Sequence, residues 1–256
     1  MDVATDPFAQ RLTDVFMRAD LNFFNIKSFR KIAEAGPLAV SEGIYQEYFQ
    51  IPEVLDSIGW QFSDREQVFS EDFRRDIAGK MTERRLQNAQ AAVDAASLVF
   101  AHSILDDAAS ECCKVSSLVA PEDWRTNIEQ RKVPLERVRN ASFDDLYHEY
   151  LSEFMEQLTR EPLMKRMEFL NQKCQPVHQM MVHKVKYNYD PERVKALDKP
   201  RHDVIHRVAI NQQFPTIEAD LEFLEHTCRF VVRLIVQHYR VRLDLDDWIK
   251  RQQSGN

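Results

Sequence analysis

Arg201 and His206 are the residues whose types and spacing point most directly to chemistry, and they stand five positions apart. A guanidinium can bind a phosphate through two parallel hydrogen bonds, and an imidazole transfers protons near neutral pH. Cleavage of a phosphodiester needs both groups at one phosphate. The surrounding run reads Lys199-Pro200-Arg201-His202-Asp203-Val204-Ile205-His206-Arg207.

Pro200 determines how this spacing is interpreted. Proline disfavours helical backbone at the residue before it, here Lys199. The sequence therefore predicts that Arg201 lies in a loop or a first helical turn and folds back towards His206. Free backbone N–H groups at such a helix start would also favour a bound anion.

A second pair with the same spacing, Arg233 and His238, serves as a comparison. It falls inside a continuous apolar helical pattern. Positions five apart on a helix point about 140° away from each other. That pair is therefore not expected to converge on one ligand.

Helices must position these side chains, because apolar residues recur at spacings of three and four through most of the chain. The longest predicted helix runs from about Thr82 to Leu118. A second helix is predicted to begin after Ser142, which would be its N-cap, and a shorter helix follows Pro162. The last long helix runs from about Thr216 to Tyr239. The polar stretch from Gln175 to about Lys199 is predicted as a loop.

These patterns predict an all-α protein, an up-and-down helical bundle. Residues 1–80 would form an N-terminal helical extension, residues 81–250 the bundle that carries Arg201 and His206, and residues 251–256 a disordered tail. The low count of 5 glycines in 256 residues agrees, since sheets and tight hairpins rely on glycine at positive φ.

Charge restricts the kinds of partner. The formal net charge of -7 excludes a protein coated in basic surface, so any nucleic-acid contact must use a local patch. Residues 161–210 hold 10 Lys and Arg against 6 Asp and Glu, a local balance of +4. The same stretch contains aromatic and imidazole rings that could stack on unpaired bases: His178, His183, Tyr187 and Tyr189.

The expected setting is the cytoplasm. No basic segment followed by an apolar one opens the chain, and no run of about 20 apolar residues predicts a membrane span. Cys112, Cys113, Cys174 and Cys228 form no C-x-x-C pair and fit no common zinc or disulfide framework. They are predicted to be core residues in a reducing compartment.

At Arg201 and His206 the chain resembles the HEPN superfamily of helical bundles, whose Arg-x4-x6-His motif begins at or near the start of a late helix. His202 takes the position after the arginine, where the family often has a polar residue. The resemblance covers roughly residues 82–245, and the run His102-Ser103-Ile104-Leu105-Asp106-Asp107 is similar to the family's earlier helix with its acidic residue.

The resemblance implies a metal-independent endoribonuclease that works as a homodimer, with RNA as substrate and no cofactor. His206 would act as general base or acid, and Arg201 would hold the phosphate and stabilise its growing charge. His202 or Asp203 could orient the imidazole. Asp107 is the expected inward-facing acid, since it shares a helix face with Phe100 and Ile104. Such proteins are commonly toxins or defence effectors, so an antitoxin or regulatory protein is an implied partner.

Two other functions fit the same residues. The run from His202 to His206 is similar to the H-E-x-x-H zinc helix with Asp203 in place of glutamate, or to helical HD-type phosphohydrolases that would recruit His102, His178 and His183. No further ligand stands at a recognised spacing. The other alternative is a non-catalytic bundle that binds nucleotides or a protein partner, with Arg201 paired to a carboxylate.

Overall fold

The computed structural model describes residues 6–35, 70–129, 132–174, 180–182, 185–187, 189–207 and 213–254. Over these residues the protein is all-α, as the sequence predicts, with one short 3-10 helix at Pro121–Trp124 and one two-stranded antiparallel ladder. In chain order the helices are α1 (Pro7–Ala35), α2 (Glu71–Val119), α3 (Arg125–Ile128), α4 (Leu135–Asn140), α5 (Phe143–Arg160), α6 (Leu163–Lys173), α7 (Pro191–Arg207), α8 (Ile217–Tyr239) and α9 (Leu245–Ser254). The strands are β1 (Met180–Val182) and β2 (Val185–Tyr187).

The chain divides into two compact units. The first consists of Met1–Phe24, Phe100–Pro200 and Glu218–Asn256, and the second of Asn25–Val99 and Arg201–Ile217. Helices α1, α2, α7 and α8 contribute residues to both. Residue 80 lies within α2, and a domain boundary at that position stays a prediction.

The core of the first unit is built from the apolar stripes that the sequence pattern identifies. The predicted stripes of α2 and α8 are buried there, with Ala101, Leu105, Ala108, Cys112 and Val115 on α2 and Leu221, Leu224, Cys228, Val231 and Ile235 on α8. Each fully buried leucine or isoleucine contributes roughly 1.5–3 kcal/mol by leaving water. Phe100 is an exception to the predicted stripe, because its side chain is 62% exposed.

Polar side-chain contacts join helices of this unit that are distant in sequence. Arg11 Nη2 lies 2.8 Å from Glu111 Oε2 and joins α1 to α2. Arg229 Nε donates to Asp20 Oδ1 at 3.0 Å and joins α8 to α1. The Asp244 N–H donates to Thr13 Oγ1 at 3.0 Å, so the chain entering α9 is held against α1.

In the second unit, α1 and α2 are joined by a buried ion pair between Arg30 and Asp94. Gln90 Nε2 donates to the same carboxylate at 2.9 Å. These two donors replace the water that the Asp94 carboxylate loses on burial. An isolated buried carboxylate would have no such compensation.

Two predicted boundaries are wrong. Helix α2 begins at Glu71 rather than near Thr82, with Ser70 Oγ accepting from the Phe73 N–H at 3.3 Å. Apolar residues already recur every four positions before Thr82, at Phe73, Ile77 and Met81, so the helical pattern reaches further back than the predicted start. The predicted disordered tail is wrong for residues 251–254, because they belong to α9 and Arg251 bonds to Asp247 and Asp14.

No helix among the described residues combines the length and the apolar composition that crossing a membrane would require.

Candidate active site

Helix α7 carries Arg201 and His206. It begins at Pro191, where proline is pre-set for the first helical position, and Asp190 Oδ1 accepts from the Arg193 N–H at 3.1 Å. Val194 and Leu197 are buried on its inner face. The predicted loop over residues 175–199 is therefore wrong for residues 191–199, which are helical.

Pro200 does not end this helix. It lies inside α7, which continues to Arg207. An interior proline costs roughly 3 kcal/mol, because it lacks the N–H donor and crowds the carbonyl four residues earlier. Before the proline, α7 contacts α8 through Arg193, whose Nη2 lies 3.0 Å from Asp220 Oδ1 and whose guanidinium lies 4.4 Å from the centre of the Phe223 ring.

The continuous helix overturns the predicted geometry of Arg201. Arg201 is not in a loop or a first turn, because it lies ten residues after the helix start at Pro191. Arg201 and His206 consequently point about 140° apart around the helix axis, as do Arg233 and His238 on α8. Within one chain, the side chains of Arg201 and His206 are therefore not directed at a common phosphate.

The structure instead brings His202 and His206 together. They are four residues apart on α7, so both lie on nearly the same helix face. Their ring centroids are 4.3 Å apart with an angle of 45° between the ring planes. Both side chains are exposed, whereas Arg201 and Asp203 are half-buried.

The predicted inward orientation of Asp107 is wrong. Its side chain is 56% exposed, and its Oδ2 lies 2.9 Å from Nη2 of Arg18. The preceding residue, Asp106, pairs with the buried Arg166 on α6. Asp107 follows the exposed Phe100 around α2, so the face that the sequence suggested as internal is the solvent face.

Part of the predicted basic stretch is occupied by contacts within the protein. Arg166 and Arg193 pair with Asp106 and Asp220. The Tyr189 ring stacks on Phe230 with centroids 5.2 Å apart, and burial raises the pKa of its hydroxyl to about 12. His178 and His183 lie outside the described residues, as does the side chain of Tyr187.

His102 proves to be a buried histidine of the first unit rather than an exposed ligand. Its Nε2 lies 3.3 Å from Asp198 Oδ1, which links α2 to α7. The apolar stripe around His102 signals its burial, but nothing in the sequence identifies Asp198 as its partner. Among the described residues no cluster of three or more His, Cys, Asp or Glu could hold a metal ion.

Comparison of the chain with protein-family models, with curated proteins and with solved structures finds no match. Membership of the HEPN superfamily stays a prediction from the sequence.

Proposed function

We propose that this protein is a metal-independent endoribonuclease of HEPN type, a cytoplasmic homodimer whose proton transfers are carried out by His202 and His206. The observation that supports this proposal is the exposed imidazole pair on α7, with ring centroids 4.3 Å apart. Cleavage of RNA without a metal requires one group that accepts a proton and one that donates a proton, and two adjacent imidazoles supply both.

The reaction begins when a neutral imidazole takes the proton of a ribose 2′-OH. The 2′ oxygen attacks the adjacent phosphorus, and the bond from phosphorus to the 5′ oxygen breaks. A protonated imidazole gives its proton to that leaving oxygen. The products are a 2′,3′-cyclic phosphate and a 5′-OH, and no water or cofactor is consumed in this step.

The phosphate also needs a cation, since negative charge grows on its oxygens as the 2′ oxygen attacks. Arg201 of the same chain is directed away from His206 by the helix geometry. We therefore assign this role to Arg201 of a second copy, bound across a two-fold axis. Each site then combines an arginine from one subunit with imidazoles from the other, which makes the dimer the active species.

A ribonuclease of this kind must be restrained in its own cell. The proposal therefore includes an inhibitory protein such as an antitoxin. Such a partner is implied by the resemblance of the motif to that of toxins and defence effectors.

The first test is incubation of the purified protein with labelled RNA in excess EDTA, followed by analysis of the RNA ends. We expect cyclic phosphate ends, and a loss of cleavage of roughly 100-fold or more for His206→Ala, because general acid–base catalysis contributes about that factor. Arg233→Ala is the matched control for Arg201→Ala, since it removes an arginine with the same spacing to a histidine. Wild-type activity in His206→Ala would refute the assignment.

The second test mixes Arg201→Ala with His206→Ala by co-expression. If each site takes its arginine from one subunit and its imidazole from the other, a mixed dimer keeps one intact site. With random pairing about a quarter of the wild-type activity returns. No recovery would place both groups in the same chain and contradict the shared site.

The divergence of Arg201 and His206 on α7 favours one other candidate, a non-catalytic nucleotide-binding bundle. In that case RNA stays intact with every variant and in every buffer. Binding of RNA that weakens steeply with salt would then be the remaining activity.

A further inference from the structure

The arrangement of His202 and His206 has a second chemical consequence. Two histidines four residues apart on a helix present their rings to the same side, an arrangement that can hold a transition-metal ion between two ring nitrogens. Both rings are exposed, so an ion can reach them without any opening of the fold.

The separation of the two rings is somewhat shorter than a shared ion needs. Zinc binds imidazole nitrogen at about 2.0–2.1 Å, which at a tetrahedral angle places the centres of two rings on one ion roughly 5 Å apart. The ring centroids here are 4.3 Å apart and their planes are inclined by 45°. The two rings would have to separate by less than about 1 Å to share an ion.

We infer that His202 and His206 form a binding site for one borderline divalent ion, such as Zn²⁺, Ni²⁺ or Cu²⁺, on the exposed face of α7. Imidazole nitrogen suits these ions, whereas Mg²⁺ and Ca²⁺ prefer oxygen ligands. The site we infer has two protein ligands, since no group of three or more metal-binding side chains occurs among the described residues, with water in the other positions. The ion binds reversibly, and protons compete with it at acidic pH.

Metal binding at this site inhibits the ribonuclease, a consequence that rests on the proposed function. An imidazole nitrogen that holds an ion can neither accept a proton from the 2′-OH nor donate one to the leaving oxygen. The bound ion is therefore an inhibitor of the cleavage reaction. Chelators should raise the activity of protein purified with trace zinc.

The test is calorimetric titration of the EDTA-treated, dialysed protein with Zn²⁺ at neutral pH. We expect one Zn²⁺ site, and we expect His202→Ala and His206→Ala each to lower its affinity by roughly 100-fold or more. The loss is large because the second imidazole binds an ion already held by the first. His148→Ala removes an exposed histidine from α5 and should leave the titration unchanged. Equal affinity in the wild type and either α7 variant would overturn the site.

A second measurement protects this test against a folding defect. Zn²⁺ should raise the Tm of the wild type and of His148→Ala, because binding to the folded state stabilises it. It should not raise the Tm of either α7 variant, and the circular dichroism of both variants in EDTA should match that of the wild type.

The cleavage assay separates the two proposals. Zinc binding at His202 and His206 without any RNA cleavage keeps the metal site and rejects the ribonuclease. Cleavage that continues at zinc concentrations saturating the site would show that the two histidines do not carry out the proton transfers. Inhibition by zinc that EDTA reverses supports both proposals.

Discussion

Arg166 is the most thoroughly buried cation among the described residues of the first unit. Its side chain is 3% exposed and it pairs with Asp106 on α2. It also donates to Ser110 Oγ and, at 3.0 Å, to the Thr159 carbonyl. The guanidinium thus joins α2, the end of α5 and α6, and it compensates a carbonyl that no helical N–H can reach.

Replacing Arg166 by methionine should lower the free energy of unfolding by about 2 kcal/mol. The variant keeps the aliphatic volume but leaves the Thr159 carbonyl without its donor and Asp106 without its partner. Asp106 is 38% exposed, so water takes up part of its charge and limits the loss. Urea unfolding at pH 7 measures the change.

Arg125→Met is the matched control for Arg166→Met. The Arg125–Glu129 pair spans 2.8 Å, but both side chains are more than half exposed. Such a pair contributes less than about 1 kcal/mol. Equal destabilisation by the two substitutions would contradict the structural role of Arg166.

At the scale of the element, α5 shows how one residue starts a helix. Ser142 Oγ accepts from the Asp145 N–H at 3.1 Å, and the Asp145 carboxylate accepts from the Ser142 N–H at 3.3 Å and its hydroxyl at 2.6 Å. This reciprocal capping box confirms the predicted N-cap. The Ser142 hydroxyl and backbone N–H lower the pKa of the Asp145 carboxyl.

Ser142→Ala should destabilise the protein by about 1 kcal/mol at pH 7 and lower its Tm by roughly 2–4 °C. The pKa of Asp145 is lower in the folded state than in the unfolded state, so its contribution is present above the unfolded value and is lost as pH falls through the folded one. The effect of Ser142→Ala should therefore shrink in acid. Thermal unfolding at pH 7 and below pH 3 measures both values.

Ser152→Ala is the control for Ser142→Ala, because Ser152 is exposed within the same helix and caps nothing. Alanine has the higher helix propensity, so this change should be neutral or slightly stabilising. A loss of stability equal to that of Ser142→Ala would contradict the capping role.

At the scale of the whole molecule, distant segments together enclose the four thiols. Cys112 and Cys113 lie on α2, Cys174 follows α6, and Cys228 lies on α8, and all four are buried. Burial raises the pKa of the Cys113, Cys174 and Cys228 thiols to about 12 and that of Cys112 well above its ordinary value. The thiols of the folded protein stay protonated at pH 8, and protonated thiols are weak nucleophiles.

Native protein at pH 8 should therefore react with less than one equivalent of a thiol reagent such as DTNB within minutes, and with four after unfolding in urea. The measurement is the absorbance of the released thiolate against time. Rapid labelling of two or more thiols without denaturant would contradict the packing of α2, α6 and α8 around them.

The sequence by itself determined the helical class, the buried stripes of α2 and α8, and the start of α5 at Ser142. Each of these depends on local physics, either the 3.6-residue period or a cap three residues away, and so is readable from neighbouring residues. The same pattern includes Phe73, Ile77 and Met81, so a start of α2 before Thr82 was also readable from the sequence.

Tertiary structure alone decided the course of α7 and therefore the geometry of Arg201, His202 and His206. Local preference places a break at Pro200, whereas α7 continues through it to Arg207, with Val194 and Leu197 buried and Arg193 in contact with Asp220 and Phe223 before the proline. The sequence also could not predict three side-chain contacts: Asp107 with Arg18, Arg166 with Asp106, and His102 with Asp198. All of them join residues from separate helices, and only the packing of those helices brings the charges together.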